Sequence, residues 1–145
     1  SKAQRERFRE LLAGLDLGLE DRLESKVGLL SGGQRQALTL LMATMAEPKL
    51  LLLDEHTAAL DPKTAEKVLD ITKSIVEKRK LTTLMITHNM KDALRLGNRL
   101  IMMHEGNILV DVKGEEKSRL TVRDLLALFE KAAGNEMTND SLLLS

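Results

Sequence analysis

The stretch that decides the fold is KLLLLDEHTAALDP, residues 49–62. Its first part, from Lys49 to Asp54, is an apolar run of strand length bounded by breakers, which is typical of a strand buried on both faces. Its last part, Asp61-Pro62, is a strong helix start, because aspartate suits the N-cap and proline suits the first helical position. The stretch therefore predicts a strand, a short loop and a helix.

A second strand of the same kind follows. The predicted helix carries Val68, Ile71 and Ile75 on one face, and residues 81–87 form another apolar run, rich in branched residues. A buried strand, a helix and a second buried strand indicate an α/β architecture with a mainly parallel sheet.

Helical spacing, caps and turn residues predict further elements on both sides of this unit. They are a helix over 5–15, a mostly buried helix over 34–46 ended by Pro48, a short helix capped by Asn89 and closed by Gly97, a hairpin of residues 99–103 and 108–112 around Glu105-Gly106-Asn107, and a last helix that begins at a Thr121/Asp124 capping box, runs through Phe129 and stops near Gly134.

Composition excludes several classes of protein. Lysine and arginine number 22, as do aspartate and glutamate, so the chain lacks the positive excess of a nucleic-acid arm or a strongly basic membrane surface. The absence of cysteine fits a reducing compartment, and no apolar run approaches the roughly 20 residues that cross a bilayer. Because the chain starts with Ser1 and its first residues read as the middle of a helix, we expect a fragment.

A serine and two glycines precede the helix over 34–46, in the sequence LSGGQRQ of residues 30–36. Backbone N–H groups at a helix start are unpaired and the helix dipole favours an anion, so a phosphate could bind there with no side chain in the way. The alternative is an ordinary N-cap, in which the serine caps and the glycines turn without any ligand.

Two adjacent acids, Asp54 and Glu55, end the first predicted strand. Ligands of open parallel sheets bind at the carboxyl ends of the strands. A carboxylate there suits Mg²⁺ coordination through water, and its neighbour suits the activation of an attacking water. The alternative is a polar strand exit with two solvated carboxylates.

A histidine, His88, ends the second predicted strand. At that level a histidine can hydrogen-bond a terminal phosphate and a nearby carboxylate, although taken alone it is more often a helix-entry residue.

Four motifs follow one another in the chain: LSGGQRQ, the strand ending in Asp-Glu, Ala59-Leu60-Asp61 and the strand ending in Thr-His. In this order they strongly resemble the nucleotide-binding domain of ABC transporters, and they are most similar to the ATPase subunits of bacterial importers. The resemblance implies one role for each motif. Ser31, Gly32, Gly33 and Gln34 are the signature motif, which contacts the ATP of a partner subunit; Asp54 is the Walker B aspartate, which holds Mg²⁺ through water; Glu55 is the catalytic glutamate; Asp61 lies in the D-loop at the dimer seam; and His88 is the switch histidine. His56 stands where many relatives have proline and is expected to be a harmless variant.

The implied fold is a partial P-loop NTPase sheet of the ABC ATPase, RecA-like type. Residues 1–48 are expected to form part of the helical subdomain with the signature motif, residues 49–113 the α/β core, and residues 114–145 a C-terminal helix and tail. A G-x-x-x-x-G-K-[ST] loop does not occur in the sequence, and its strand lies in this family between the strand ending at His88 and the one beginning near Arg99. Around that gap we expect a rearranged sheet, direct closure, or a strand borrowed from a neighbouring fragment.

The implied function is ATP binding and hydrolysis, with Mg²⁺, in a subunit that drives solute transport. Implied partners are a second ATPase subunit in a head-to-tail dimer and membrane permease subunits, with no nucleic acid; the implied location is cytoplasmic, on the inner face of the cell membrane. The fragment alone is expected to be inactive. One alternative is the signature lobe of an SMC-like DNA-repair ATPase, against which the lack of heptads and of basic surplus argues. Another is a non-catalytic module that completes a partner's ATP site.

Overall fold

The computed structural model describes the backbone of residues 1–143 and the side chains of residues 1–134. Its elements are α1 (Lys2–Ala13), a 3₁₀ turn (Val27–Leu29), α2 (Gly32–Met45), β1 (Leu51–Asp54), α3 (Pro62–Arg79), β2 (Thr83–Ile86), α4 (Met90–Arg95), β3 (Arg99–His104), β4 (Asn107–Lys113), α5 (Gly114–Arg119) and α6 (Val122–Leu143). They form two compact units: the first unit is Ser1–Ile86, and the second unit begins at Thr87. The α/β class predicted from the sequence is confirmed, whereas the division into 1–48, 49–113 and 114–145 stays a prediction.

In the first unit β1 and β2 pair in parallel, with Leu51 opposite Thr83 and Asp54 opposite Ile86. Helices α2 and α3 pack together. The side chains that pack together here come from α2, α3 and alternate strand positions: Leu40, Leu51, Leu53, Ile71, Ile75, Val76, Leu81 and Met85. The helices therefore cover one face of this small sheet.

The prediction that both strands are buried on both faces is wrong. Successive strand residues point to opposite faces, and Leu52 and Leu84, which pair with each other, are 64% and 54% exposed. Leu50 and Ile86 are also exposed, and each lies two residues along its run from Leu52 or Leu84. Within the described residues the first unit supplies helices to one face only, so half of each apolar run stays in contact with solvent.

The region before β1 forms a second apolar cluster. The buried residues in it come from α1, the loop after it and α2: Leu12, Leu15, Leu19, Leu30, Ala37 and Leu41. The predicted helices over 5–15 and 34–46 are confirmed, but the second is buried on one face only, since Met42 and Met45 are exposed. The physical reason is that α2 packs on one side against this cluster and α3, and the opposite stripe has no neighbour in the described residues.

The second unit is built on the predicted hairpin. Glu105 and Gly106 connect β3 to β4 with φ of 46° and 83°, which matches the positive φ values of a type I′ turn. One face of the hairpin packs on α6, and the buried cluster consists of Leu100, Val110, Val112 and Leu125. His104 contacts Phe129 edge to face, with ring centroids 5.4 Å apart, as a structural histidine would.

The two strand pairs belong to separate two-stranded sheets, ordered β1-β2 and β3-β4. Among the described residues β2 pairs only with β1, so direct closure of the gap between β2 and β3, one of the three alternatives expected there, does not occur. These strands belong to different units, with α4 between them in the chain. Borrowing of a strand from a neighbouring chain stays a prediction.

The last helix begins as predicted and ends later. The Thr121 N–H donates to the Asp124 carboxylate at 2.9 Å, and the Asp124 N–H donates to Thr121 Oγ1 at 3.2 Å, which completes the capping box. The predicted stop near Gly134 is wrong, because α6 continues to Leu143. A single internal glycine costs a helix only about 1 kcal/mol relative to alanine. None of the helices in the described part is long and apolar enough to cross a membrane.

Candidate functional site

The start of α2 is closed by a complete capping box. Ser31 Oγ accepts from the Gln34 N–H at 3.2 Å, and the Ser31 N–H donates to Gln34 Oε1 at 3.0 Å. Gln34 Nε2 donates to the Leu17 carbonyl at 3.0 Å. Both ends of the Gln34 amide are therefore engaged within the chain, as the N-cap alternative requires.

The capping box leaves two donors at the helix start. No acceptor among the described residues contacts the N–H groups of Gly32 and Gly33. Gly32 is partly exposed, whereas Gly33 is buried. An anion could thus approach the Gly32 N–H first, and the cap and the anion site are compatible.

The two glycines lie against the start of α3. A Cβ on Gly33 would overlap Thr64 Cγ2, and a Cβ on Gly32 would lie 3.0 Å from Leu60 Cδ2. At position 33, where a Cβ would overlap Thr64, only glycine lets the two helix starts come this close. The structure therefore brings the segment Ser31–Gln34 into contact with the residues on both sides of Asp61.

Asp61 caps α3 as the sequence predicts. Its Oδ1 accepts from the Thr64 N–H at 3.1 Å, and Pro62 occupies the first turn. The side-chain hydrogen bond of Thr64, followed by its backbone N–H, lowers the pKa of the Asp61 carboxyl. The methyl group of Thr64 therefore contacts Gly33, and the polar groups of Thr64 hydrogen-bond to Asp61.

Asp54 and Glu55 lie at the carboxyl end of β1, where the sequence places them. The Glu55 N–H donates to the Ile86 carbonyl at 3.0 Å, which extends the β1–β2 ladder by one bond. Glu55 has a φ of 44°, in the left-handed region. Asp54 is exposed and Glu55 is partly buried. Two adjacent carboxyl groups thus lie at the carboxyl end of β1, and the second of them belongs to a residue with a left-handed backbone.

His88 belongs to the second unit, at the start of α4. Asn89 caps that helix, since its Oδ1 accepts from the N–H groups of Lys91 at 2.9 Å and Asp92 at 3.3 Å. His88 is exposed and lines a shallow depression with neighbouring residues of α4 and with Val122. Because Asp54 and Glu55 belong to the first unit, the approach of His88 to these carboxylates stays a prediction.

The residues fit Mg²⁺ and ATP only in part. The described residues contain no group of three or more acids, histidines or cysteines that could bind a metal. Magnesium is usually held by one or two protein carboxylates together with substrate phosphates and waters, so Asp54 can supply one ligand but not a cage. The Gly32 N–H suits a terminal phosphate, whereas the 145 residues contain no G-x-x-x-x-G-K-[ST] loop for the rest of the phosphate chain.

Lys117 is a buried residue that no sequence pattern singles out, since GEEKSR, residues 114–119, reads as a solvated segment. Its side chain is enclosed, and Nζ donates to the carbonyls of Leu94, Leu96 and Gly97 at 2.6, 3.0 and 3.1 Å. Burial lowers the pKa of this ammonium. Lys117 thus fixes the end of α4, the helix whose start follows His88.

Replacing Lys117 with methionine is expected to lower the free energy of unfolding by about 1.5 kcal/mol, because three carbonyls lose a charged donor. Far-ultraviolet circular dichroism during urea unfolding measures this loss. Lys131→Met makes the same change at an exposed position of α6 and is expected to be close to neutral. Equal effects of the two substitutions would contradict the role given to Lys117.

Comparisons with known proteins agree with the motifs. Residues 2–58 match the family model described as ABC transporter. The chain is 56% identical over 122 residues to the tyrosine transport ATP-binding protein of Clostridioides difficile (strain R20291). The matched region covers 84% of this chain and 49% of that protein. The chain is 36% identical over 126 residues to the methionine import ATP-binding protein MetN of Lactococcus lactis subsp. cremoris (strain NZ9000), with coverages of 83% and 33%.

A solved structure agrees as well. The fold matches a metal-chelate type ABC transporter in an inward-facing conformation with a TM-score of 0.66 and 30% identity, over 83% of this chain and 47% of that one. The chain spans about half or less of the length of these relatives. From the matched segment, the relatives and the shared fold, we conclude that the chain belongs to the ABC transporter family and carries part of its nucleotide-binding domain.

Proposed function

We propose that the chain is part of the ATP-binding and ATP-hydrolysing subunit of an ABC importer. The observation that carries this proposal is the contact between the two capped helix starts: Gly32 and Gly33 lie against Leu60 and Thr64, on both sides of Asp61. Such a pair of starts presents backbone N–H groups and a carboxylate on one surface, which suits a seam at which two subunits enclose a nucleotide.

In this proposal the start of α2 serves ATP bound by a second subunit. The N–H groups of Gly32 and Gly33 approach the terminal phosphate of that ATP, while Ser31 and Gln34 hold the helix start in place through the capping box. Asp61 contacts the seam between the subunits. The hydrogen bonds from Thr64 lower the pKa of its carboxyl and therefore favour the charged form.

The acids at the end of β1 serve the ATP of their own subunit. Glu55 orients the attacking water and accepts its proton, and His88 donates a hydrogen bond to the terminal phosphate. Asp54 holds a water of the Mg²⁺ shell, and the metal supplies charge neutralisation on the phosphates when it is bound. The exposed position of Asp54 at the strand exit suits contact through water.

The proposed partners are those that the family resemblance implies. The second ATPase subunit forms a head-to-tail dimer with this one, and closure of the dimer acts on permease subunits in the membrane, so that the protein works at the cytoplasmic face of the membrane. Two relatives named for tyrosine transport and methionine import favour an amino acid as the transported solute.

The 145 residues taken alone support a narrower role. Without a G-x-x-x-x-G-K-[ST] loop they offer the Gly32 surface for a partner's ATP but few groups that hold the phosphates of their own. Taken alone, the chain is thus a non-catalytic module that completes another subunit's site.

Binding and hydrolysis test the two statements separately. In isothermal titration the 145-residue chain is expected to bind Mg-ATP with a Kd of about 1 mM or weaker, because the phosphate chain lacks most of its ligands. The complete protein, meaning the natural polypeptide that contains these residues, is expected to hydrolyse Mg-ATP. Micromolar binding by the 145-residue chain would contradict the partial site, and a complete protein without ATPase activity would overturn the proposed function.

A further inference from the structure

The loop between β1 and α3 holds the proposed catalytic glutamate in an uncommon conformation. Glu55 has a φ of 44°, in the left-handed region that residues other than glycine rarely adopt. Turn bonds follow it, from the Ala58 N–H to the Glu55 carbonyl at 3.0 Å and from the Leu60 N–H to the Thr57 carbonyl at 3.1 Å. A backbone in this region persists only where the surrounding structure fixes it.

One side chain of this loop reaches the core of the first unit. His56 Nε2 lies 3.0 Å from Thr72 Oγ1, and the Thr72 hydroxyl lies 2.8 Å from the Val68 carbonyl one helical turn earlier in α3. A hydroxyl has one hydrogen, and the carbonyl can only accept, so this hydrogen goes to Val68. The oxygen of Thr72 must then accept from His56, which requires the proton of the imidazole on Nε2.

The receiving end of this bond is enclosed. Thr72 is 4% exposed and Val68 is fully buried, so water cannot easily replace either partner. His56 itself is half-buried, so solvent reaches only part of the imidazole. The bond therefore joins a loop residue to the least accessible part of α3.

We propose that His56 is a positioning residue for Glu55: its Nε2–H donates to Thr72 and fixes the loop of residues 55–60 against α3. The loop then has three attachments, at the Glu55 N–H on β2, at His56 on Thr72 and at Asp61 on the start of α3. Without the middle attachment, the left-handed backbone at Glu55 can relax and its carboxylate leaves the position from which it would act on water. The kinetic consequence rests on the proposed function, whereas the hydrogen bond does not.

The hydrogen bond is tested in the 145-residue chain by nitrogen-15 NMR of labelled histidine. The chain has three histidines, and His56→Gln identifies the His56 signals by their loss. We expect a proton on Nε2 and none on Nδ1, and we expect Thr72→Val to abolish this fixed tautomer while Thr72→Ser keeps it. Thr39→Val is the matched control, because Thr39 makes the same bond to a helical carbonyl, at 2.8 Å from Arg35, without a histidine. A proton on Nδ1, or unchanged His56 signals in Thr72→Val, would overturn the proposal.

The consequence for Glu55 is tested by the kinetics of ATP hydrolysis in the complete protein. We expect His56→Leu to lower kcat about tenfold with KM for ATP unchanged, since displacement of a reacting group slows chemistry more than binding. His56→Gln is expected to restore most of kcat, because the glutamine amide can donate from nearly the same place. In the double variant, Thr72→Val is expected to reduce kcat little beyond the effect of His56→Leu, because both substitutions remove the same hydrogen bond.

His104→Leu is the control for loss of an imidazole. Because His104 lies on the hairpin of the second unit, this substitution is expected to leave kcat unchanged. A wild-type kcat in His56→Leu, or equal losses in His56→Leu and His56→Gln, would overturn the positioning role. If the wild-type complete protein did not hydrolyse ATP, the proposed function and the positioning role would fall together, and the NMR result would still decide whether the hydrogen bond exists.

Discussion

Replacing Gly33 with alanine is expected to lower the free energy of unfolding by about 2 kcal/mol. The new Cβ overlaps Thr64 Cγ2, and Val68 Cγ2 lies 3.9 Å from the same point, so the methyl group of Thr64 has little room to move aside. Overpacking of this kind costs up to about 3 kcal/mol, which exceeds the gain of about 1 kcal/mol that alanine brings to a helix. Urea unfolding of the 145-residue chain measures the difference.

Two further variants locate the cause. Gly32→Ala makes the same change one residue earlier, where the Cβ meets only the flexible end of Leu60 at 3.0 Å, and it is expected to be close to neutral. Thr64→Ser removes the overlapping methyl group and keeps the hydroxyl, so the double variant Gly33→Ala/Thr64→Ser is expected to recover most of the stability. A full loss in the double variant would show that Thr64 is not the obstacle.

This contact bears on function as well. Because Gly33 and Asp61 meet through Thr64, a shift at the start of α2 is transmitted to the start of α3. Under the proposed function these are the two surfaces that face a second subunit. Substitutions at Gly33 are therefore expected to impair both surfaces together, even where the phosphate contact is made by Gly32.

Local chemistry explains what could be predicted from the sequence. The caps at Asp61 and Thr121 and the turn at Glu105-Gly106 depend on residues three or fewer positions apart, and all three form as predicted. The burial of β1 could not be predicted in the same way. An apolar run shows that a strand can be buried on both faces, but the helices that cover it are set by tertiary packing, and in the first unit they cover one face.

The same distinction applies to the candidate site. The order of the motifs placed Ser31, Asp54, Glu55 and Asp61 at helix starts and a strand end, where they lie in the structure. The contact of Gly33 with Thr64 and the bond of His56 to Thr72 join residues distant in sequence, and no local pattern indicates them. His56 was expected to be a harmless variant, and only the packing of the loop on α3 gives it a specific partner.

Replacing Glu55 with glutamine is expected to reduce ATP hydrolysis by the complete protein by a factor of about 10² to 10⁴, the usual contribution of a general base. Glutamine has nearly the same shape and keeps a polar end, so ATP binding is expected to remain. Under the proposed function a closed dimer cannot reset without hydrolysis, so the ATP-bound dimer is expected to accumulate. A phosphate-release assay measures the first effect, and size-exclusion chromatography with Mg-ATP measures the second.

The control must separate the lost carboxylate from the unusual backbone at Glu55. Glu47 offers this control, because it also has a left-handed backbone, with φ of 48° against 44°, and it lies after α2, away from the strand exit. Glu47→Gln is therefore expected to leave both hydrolysis and dimerisation at the wild-type level. If Glu55→Gln hydrolysed ATP at the wild-type rate, the carboxylate at the end of β1 would not be the base, and the attacking water would have to be activated by another group.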